Sequence, residues 1–287
     1  MWFFDNLQQL FLSGWIRRVV IMLIALSTSA VASSQQNERE GLPKRVVSLD
    51  YCADQYVLEF VPRENILALS PDATKSFSYH RARAKGVPQT LPHSERVLAL
   101  EPDLVVRSYA GGSMASSFFQ AAKITTLDLP YVSRLSDVPV VTRQIAAQLG
   151  QAEKGAQMAR QIEKRLQTPY PPKHQSILYL TPGGVTAGRA TLLDDLFELA
   201  GYENFETRAN WQSLNLETLA ARQPDILAYA SFGAGYGMNN MWSPARHGLA
   251  QAGKETVFIP LQGAVTSCGA WFVFEALDML TGGKHAP

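Results

Sequence analysis

Cysteine and histidine are scarce in this sequence, which has two cysteines and five histidines in 287 residues. So few thiols exclude a small scaffold held by several disulfides, and two cysteines alone do not form a strong metal site. The histidines show neither the H-E-x-x-H spacing nor any other paired spacing, and no G-x-S-x-G motif is present. The sequence therefore lacks a catalytic signature, and we expect no catalytic residue, no resident metal and no cofactor.

Complete nucleotide-binding motifs are also missing. The segment GLAQAGKE (248–255) resembles a phosphate-binding loop, but Glu255 stands where a serine or threonine is required, and the predicted order is helix, then strand. The segment GAGYG (233–237) falls short of the G-x-G-x-x-G fingerprint. Neither segment supports a phosphate or dinucleotide site.

An excess of charge of one sign is missing as well. Lysine and arginine number 26, aspartate and glutamate number 25, and the formal net charge is +1. Nucleic-acid binding depends on basic residues that neutralise phosphates, and a balanced surface gives it no support. We expect no nucleic-acid partner.

No apolar run is long enough to cross a bilayer comfortably. The run VVIMLIAL (19–26) follows Arg17 and Arg18 and precedes the small-residue pattern at 30–32, which is typical of a cleaved secretory signal. We therefore predict a signal peptide over 1–32, a loose polar leader over 33–43 and export from the cytosol. An alternative keeps the N-terminal segment as an anchor, which would make the protein a membrane-tethered ligand sensor.

One long amphipathic helix is predicted near the middle of the chain, over 151–168. Apolar residues recur there at steps of three or four and form a narrow stripe among charged residues, which predicts a surface helix of roughly 27 Å. The stripe consists of Ala152, Ala156, Ala159, Ile162 and Leu166. Gly150 precedes this helix and Pro169 follows it, so we expect it to connect two parts of the protein.

Similar segments lie on both sides of that helix. SERVLALEPDLVV (94–106) and LETLAARQPDILA (216–228) each predict a short helix, a Pro-Asp pair and a buried strand. Each half also opens with a predicted strand, RVVSLD in the first and SILYLT in the second. Strands that alternate with helices form parallel sheets. We therefore predict an α/β fold with two related lobes, 44–150 and 169–287, joined by the helix 151–168.

Aromatic residues cluster where the predicted strands end. Six of them follow a strand directly or lie in the loop that begins there: Tyr51, Tyr79, Tyr109, Phe232, Tyr236 and Trp242. Each ring taken alone is more simply explained by ordinary packing. Together they predict a cleft lined by flat, partly polar surfaces that suits a large organic ligand. Arg107 and Arg189 lie near the same strand ends and suit an anionic group such as a carboxylate.

The two cysteines, Cys52 and Cys268, allow three interpretations. They are two partly buried free thiols, a disulfide formed in an oxidising compartment, or ligands of a metal or bound compound. A separate hypothesis is an exported enzyme with its active site in the cleft and with His80 or Cys52 as the reactive group. The sequence supplies no neighbouring base for that chemistry.

Five segments resemble the periplasmic substrate-binding proteins of ABC importers for iron-siderophores, haem and cobalamin. They are RVVSLDYCADQ, ERVLALEPDLVV, VTAGRATLLDDLFELAGYEN, LETLAARQPDIL and SCGAWFVFEAL, and they cover roughly 44 to 281. The first two are fairly specific, and the others support them. The resemblance implies two α/β sandwich lobes with mostly parallel sheets, joined by one long rigid helix, which is the class III periplasmic-binding-protein fold.

The resemblance also implies a function and its partners. It implies a periplasmic receptor that captures an iron chelate (siderophore or haem) or cobalamin in the interlobe cleft, without catalysis. The receptor would be a monomer that delivers the ligand to an inner-membrane ABC permease.

Two further features follow from the resemblance. In the family, one glutamate per lobe docks onto permease arginines, and the matching positions here are Glu95 and Glu217. Both glutamates equally suit the positive ends of short helices, with Ser94 and Asn215 as the caps. The chain departs from better-known members in its first turn, which holds Cys52, and in its last, which holds Cys268. A disulfide between these turns would tie the lobes together.

Overall fold

Two separate four-stranded parallel sheets form the framework of the protein. The structure, a computed structural model, describes residues 42–108, 112–232 and 256–282. The predicted signal peptide, nearly all of the predicted leader, and the candidate ligand residues Tyr109, Tyr236 and Trp242 lie outside these ranges.

The first sheet has the strand order β2-β1-β3-β4. Its strands are β1 (Val46–Ser48), β2 (Ile66–Ala68), β3 (Leu104–Arg107) and β4 (Thr125–Asp128). The helices beside it are α1 (Tyr51–Phe60), α2 (Ser94–Leu98), α3 (Gly112–Ala121) and α4 (Asp137–Gln148), with a 3₁₀ turn at Arg63–Asn65. Helix α1 begins where it does because the Asp50 carboxylate accepts hydrogen bonds from the first free backbone N–H groups, those of Cys52 and Ala53.

The second sheet has the order β10-β9-β5-β7. Its strands are β5 (Ser176–Leu180), β7 (Glu203–Asn204), β9 (Ile226–Ser231) and β10 (Val257–Gln262). An antiparallel pair, β6 (Val185–Ala187) and β8 (Trp211–Ser213), lies beside them. The helices are α6 (Leu192–Leu199), α7 (Leu216–Ala221), α8 (Gly263–Thr266) and α9 (Val273–Thr281).

The central strands of both sheets are buried on their two faces, in keeping with their mostly apolar residues. In the first sheet Val46 joins a large apolar cluster, and its neighbour Val47 joins a smaller cluster on the other face with Phe119. In the second sheet Ile177 joins the same large cluster, and Leu178 faces a separate small one. The large cluster therefore continues from one lobe into the other, and each sheet is covered on its outer face by its own helices.

The two lobes repeat one topology. If the parallel strands of each lobe are counted in chain order, both sheets run second-first-third-fourth. The Pro-Asp pair has the same role in both. Asp103 accepts hydrogen bonds from the backbone N–H groups of Lys44 and Arg45, just before β1, and Asp225 accepts one from the N–H of Ser176, at the start of β5. The structure thus bears out the predicted α/β fold of two related lobes.

The connecting helix, α5 (Ala152–Leu166), lies on the surface. In the sequence it follows the last strand of the first sheet and precedes the first strand of the second. Its fifteen residues span roughly 22 Å, less than predicted, because the helix ends before Gln167. The predicted stripe is also shifted, since Ala152 is exposed and Gly155 is buried in its place. Gly155 packs on α4 so closely that a Cβ there would lie 2.3 Å from the Cβ of Ala146.

Charged groups near the two ends of α5 bind different lobes. Lys154 lies 2.6 Å from the Glu59 carboxylate on α1. Near the other end, Arg165 pairs with Asp278 on α9 and donates to the backbone oxygen of Phe274 at 3.0 Å. The helix is therefore fixed to both lobes. Among the residues that the structure describes, no helix is both long and apolar enough to cross a membrane.

Candidate functional site

A cavity of about 260 Å³ lies between the lobes, where strands of both sheets end. The carboxyl ends of parallel strands are the usual ligand-binding edge of α/β sheets. The first lobe contributes Tyr51, Cys52, Tyr56, Ser108, Leu129, Pro130, Tyr131, Val132 and Val141. The second contributes Tyr179, Thr181, Trp211, Phe232, Thr266, Ser267, Cys268 and Gly269. All of these side chains are aromatic, aliphatic, hydroxylic or disulfide-bonded, so this lining suits an uncharged, largely flat ligand surface.

A disulfide joins the lobes in the wall of this cavity. Cys52, in the first turn of α1, is bonded to Cys268, which follows α8, and their Cα atoms lie 5.8 Å apart. Both residues are 8% exposed. Because the bonded pair has no free thiol, the structure does not support Cys52 as a reactive nucleophile.

Hydrogen bonds around the disulfide also cross between the lobes. The Tyr51 hydroxyl donates to the backbone oxygen of Ser267 at 3.1 Å, and the Ser267 hydroxyl lies 3.3 Å from the backbone oxygen of Phe77. Gly269 fits directly against the first lobe, since a Cβ on this residue would lie 2.5 Å from the Cβ of Val132. The turn that carries Cys268 is therefore in close contact with the first lobe.

A different pair of rings meets at the mouth of the cavity. The Trp211 indole N–H donates to the Tyr131 hydroxyl at 3.1 Å, and the two side chains come from opposite lobes. Tyr131 is 63% exposed and Trp211 is 41% exposed, whereas Tyr179, which packs edge-on against Trp211, is buried. Burial raises the pKa of the Tyr179 phenol to about 12, so this wall stays neutral at physiological pH.

The structure brings some of the predicted ligand residues into the cavity wall. Tyr51 and Phe232 line it, and each packs against Phe77. Tyr79 does not line it, because its ring stacks on Phe272 and its hydroxyl is hydrogen-bonded to Glu275.

The two predicted arginines do not line the cavity either. Arg107 is buried against Asp128 in the neighbouring strand. Arg189 is exposed and lies 3.6 Å from the Asp194 carboxylate. Both guanidinium groups are therefore bound to carboxylates within their own lobe. His80, the other reactive group considered from the sequence, lies 2.9 Å from Glu59 and outside the lining.

The glutamates at the matching helix starts are both exposed. Glu95 is in the first turn of α2 and Glu217 in the first turn of α7, and neither forms a salt bridge with any residue that the structure describes. Asn215 caps α7 by accepting from the N–H groups of Glu217 and Thr218. The predicted cap of α2 is wrong, because Ser94 is already the first helical residue and no side chain of the preceding His93 caps the helix.

Sequence reasoning missed Tyr131, Tyr179 and Trp211. Tyr131 comes three residues after the end of β4. It therefore meets the criterion that selected Tyr51, namely an aromatic residue just after a strand. Tyr179 lies inside a strand, where a buried ring is the ordinary expectation. Trp211 begins β8, a strand of three residues that is too short to show a periodic pattern.

A buried acid lies two residues after Cys52 on α1. Asp54 is fully buried and accepts hydrogen bonds from both the N–H and the hydroxyl of Ser70. Burial raises the pKa of this carboxyl to about 7, although the bonds from Ser70 partly oppose the rise. In the described part of the chain, no group of three or more histidine, cysteine, aspartate or glutamate side chains could hold a metal ion.

A comparison with known protein families identifies a match over most of the described chain. The family model described as "Periplasmic binding protein" matches residues 46–238.

Curated relatives are named for vitamin B12. A vitamin B12-binding protein of Salmonella typhi is 26% identical over 178 residues, which is 56% of this chain and 65% of that protein. One from Yersinia pseudotuberculosis is 24% identical over 225 residues, covering 74% of this chain and 75% of that protein. The match thus spans just under two thirds of the length of the Salmonella protein.

Solved structures share the fold. A periplasmic haem-binding protein from Pseudomonas aeruginosa has a TM-score of 0.66 at 21% identity, covering 84% of this chain and 92% of that one. The periplasmic vitamin B12-binding protein of Vibrio cholerae has a TM-score of 0.63 at 17% identity, covering 84% and 96%. At these identities the likeness concerns the fold alone.

Proposed function

Because this chain belongs to the periplasmic binding protein family, we propose that it is a periplasmic receptor that captures a bulky metal chelate and delivers it to an inner-membrane ABC importer. Cobalamin is the first ligand to test, in view of the curated relatives, and haem and ferric siderophores are the alternatives. In this proposal the protein binds and releases its ligand without catalysis, works as a monomer and has a signal peptide over residues 1–32.

The observation that carries the proposal is the composition of the interlobe cavity. Rings from both lobes, among them Tyr51, Tyr131 and Trp211, line it together with hydroxyl groups. Flat rings give a large contact area to a planar macrocycle at a small cost in side-chain entropy, and the hydroxyls suit peripheral amides. Two rigidly joined lobes offer a preformed site, so affinity does not depend on a large closing motion.

Delivery requires a surface that the importer recognises. We propose that Glu95 and Glu217 provide it, one on each lobe, because both are exposed near the starts of equivalent helices. Docking of both lobes on basic groups of the permease would orient the cleft towards the transport pathway. Bidentate pairing with arginine is the usual way in which a carboxylate is recognised at such a surface.

Ligand binding can be tested with the purified mature protein. We would titrate it with cyanocobalamin, hemin and ferrichrome by calorimetry and by quenching of tryptophan fluorescence, and would record the visible spectrum of whatever co-purifies. We expect one probe to bind with micromolar or tighter affinity, and we expect W211A and Y131A to weaken that binding at least tenfold.

The matched control is F258A, which removes an exposed ring outside the cavity lining. We expect F258A to bind like the wild type. If none of the three probe classes binds to the folded wild-type protein, the proposed function is wrong. Mass spectrometry of the N-terminal residue of the exported protein tests the signal peptide separately and distinguishes it from a retained anchor.

A further inference from the structure

The inner wall of the cleft is covalently fixed. Cys52 and Cys268 are both buried and both line the cavity, and their bond links two positions 216 residues apart in the sequence. Helix α5 already links the lobes through the main chain. The lobes therefore have two covalent connections, and one of them lies in the ligand cavity itself.

A disulfide leaves little room for the lobes to separate. Its Cα atoms are 5.8 Å apart here, and the usual upper limit is about 6.8 Å. The inner wall can therefore widen by only about 1 Å. The tight fit of Gly269 on Val132 prevents the same wall from closing further.

The mouth of the cleft is held differently. Only three of the described lining residues are exposed, namely Pro130, Tyr131 and Trp211. A hydrogen bond between Tyr131 and Trp211 joins the lobes here, and both of its partners face solvent. Such a bond contributes little net free energy and is readily exchanged for bonds to water.

The size of the cavity makes this difference important. Pockets that enclose an organic ligand usually measure about 300 to 1,000 Å³, and this cavity measures about 260 Å³. A macrocyclic chelate therefore needs extra room. The fixed inner wall cannot supply it, whereas the two exposed rings can move apart.

We propose that ligand enters and leaves between Tyr131 and Trp211, and that the Cys52–Cys268 bond fixes the inner wall so that this mouth is the part of the cleft that opens. The proposal rests on the proposed binding function. It makes Tyr131 and Trp211 ligand-contacting rings, and it makes the disulfide a positioning element that limits how deeply a chelate is inserted.

The two tryptophans of the described cleft region allow a test without ligand. Trp211 reports on the mouth, and Trp271 reports on the inner side, where its ring packs against Tyr56 at 5.1 Å and Phe60 at 5.7 Å. We would label the protein with 5-fluorotryptophan, assign the resonances with W211F and W271F, and measure line width and accessibility to a soluble paramagnetic agent by ¹⁹F NMR.

The prediction compares the wild type with the C52S/C268S double variant. In the wild type we expect the Trp211 resonance to be at least twofold more accessible than that of Trp271. In the double variant we expect the accessibility of Trp271 to rise at least twofold, with a smaller change at Trp211. An unchanged Trp271 resonance in the folded double variant would overturn the role given to the disulfide.

A second measurement keeps the proposal testable if the double variant does not fold. We would measure association and dissociation rates of cyanocobalamin and hemin by stopped flow for Y131F and W211F, which keep a ring but remove the bond across the mouth. Loss of one ordinary hydrogen bond should raise both rates by about threefold to tenfold, with a smaller change in Kd.

The matched control is Y229F, which removes a hydroxyl from a half-buried tyrosine of β9 outside the cavity lining. Wild-type rates in Y131F and W211F would show that ligand does not pass between these rings. If cyanocobalamin and hemin do not bind the wild type, the rates are measured with ferrichrome instead; if ferrichrome does not bind either, the proposed function fails, while the ¹⁹F measurement still decides whether the disulfide fixes the inner wall.

Discussion

The two lobes share a scaffold and differ at the cleft. Both have the strand order second-first-third-fourth, and both hold the start of their first strand with the aspartate of a Pro-Asp pair. The second lobe adds the antiparallel strands β6 and β8, which place Trp211 at the mouth. The first lobe adds a buried acid, Asp54, which is hydrogen-bonded to Ser70. The repeated features build the sheets, and the added strand β8 brings Trp211 to the ligand cavity.

The attachment of α5 differs most between the lobes. On the first lobe, the nearly buried carboxylate of Glu59 meets Lys154 at 2.6 Å, Arg83 at 2.7 Å and His80 at 2.9 Å. On the second lobe, Asp278 pairs with Arg165. We expect E59A to lower the free energy of unfolding by about 2 to 3 kcal/mol, because it leaves the buried His80 without its partner, whereas Lys154 and Arg83 are exposed enough for water to replace the lost contact. We expect about half that effect for D278A, and urea denaturation measures both.

The pH dependence of the Glu59 effect is a sharper test. Burial raises the pKa of this carboxyl, but His80 and Lys154 more than offset that and lower it to about 2. A lowered folded-state pKa gives stability that is present above the unfolded value and is lost as the pH falls through the folded one. The difference between wild type and E59A should therefore shrink between about pH 4.5 and pH 2. The control is E153A, at an 89% exposed site next to Lys154 on α5, and an effect there equal to that of E59A would contradict this account.

The buried acid of the first lobe should act in the opposite direction. The pKa of Asp54 is raised to about 7, so its ionisation costs stability as the pH rises from about 4 through 7. We expect D54N to keep the bond from the Ser70 N–H, while the Ser70 hydroxyl accepts from the new amide N–H group. The variant should stabilise the protein at pH 8 by about 2 to 3 kcal/mol, less than the roughly 4 kcal/mol to which the whole pKa shift corresponds. Below about pH 4, where this carboxyl is protonated in both the folded and the unfolded protein, the variant and the wild type should be nearly equal.

Thermal unfolding of D54N across this pH range gives the measurement. The exposed Asp137 at the start of α4 supplies the control, since D137N should leave the dependence above pH 5 unchanged. A wild-type stability that does not fall between pH 5 and pH 8 would show that Asp54 ionises normally.

The Pro-Asp pairs test whether the two lobes, which share a topology, also gain similar stability from the repeated aspartate. Asp103 and Asp225 are both exposed, and each accepts two hydrogen bonds at the start of the neighbouring strand. We expect D103A and D225A each to destabilise the protein by about 1 kcal/mol, with the two values within about 0.5 kcal/mol of each other. The hydrogen bonds from Ser176 lower the pKa of Asp225, so its contribution should disappear only in acid. Urea denaturation measures both variants. A loss of stability in only one of them would show that the lobes share a topology but not the stabilising role of this aspartate.

The sequence was informative wherever a pattern repeats. The apolar runs and the Pro-Asp spacing predict both sheets, and the narrow stripe predicts α5. The predicted stripe was wrong at the first turn of α5, where Gly155 and not Ala152 is buried. Close packing of α5 on α4 requires a glycine there, and a hydrophobicity pattern does not reveal such a requirement. In the same way, the strand that carries Trp211 is formed by pairing with residues more than twenty positions away, and its own three residues give no signal.

The cleft was predicted less well than the fold for a physical reason. The rule that aromatic rings follow strands finds Tyr51 and Phe232 but also finds Tyr79, whose ring is used to pack the lobes together. Whether a ring faces a cavity or a neighbouring helix depends on side-chain direction and on the other lobe. The arginine prediction has the same weakness, because Arg189 is bound to Asp194 within its own lobe.

The exposed glutamates should show the smallest effect on stability, although they lie at equivalent positions in the two lobes. Neither Glu95 nor Glu217 is paired with any described residue, so E95A and E217A should change the free energy of unfolding by less than about 0.5 kcal/mol and leave ligand affinity unchanged. We expect each variant to reduce uptake of labelled ligand in cells that carry the cognate importer, and the double variant to abolish it. E153A is again the control. A favourable interaction with the helix dipole would affect only stability, whereas docking on the permease would affect only uptake. Normal uptake by the double variant would therefore contradict the docking proposal and leave the helix dipole as the explanation for both glutamates.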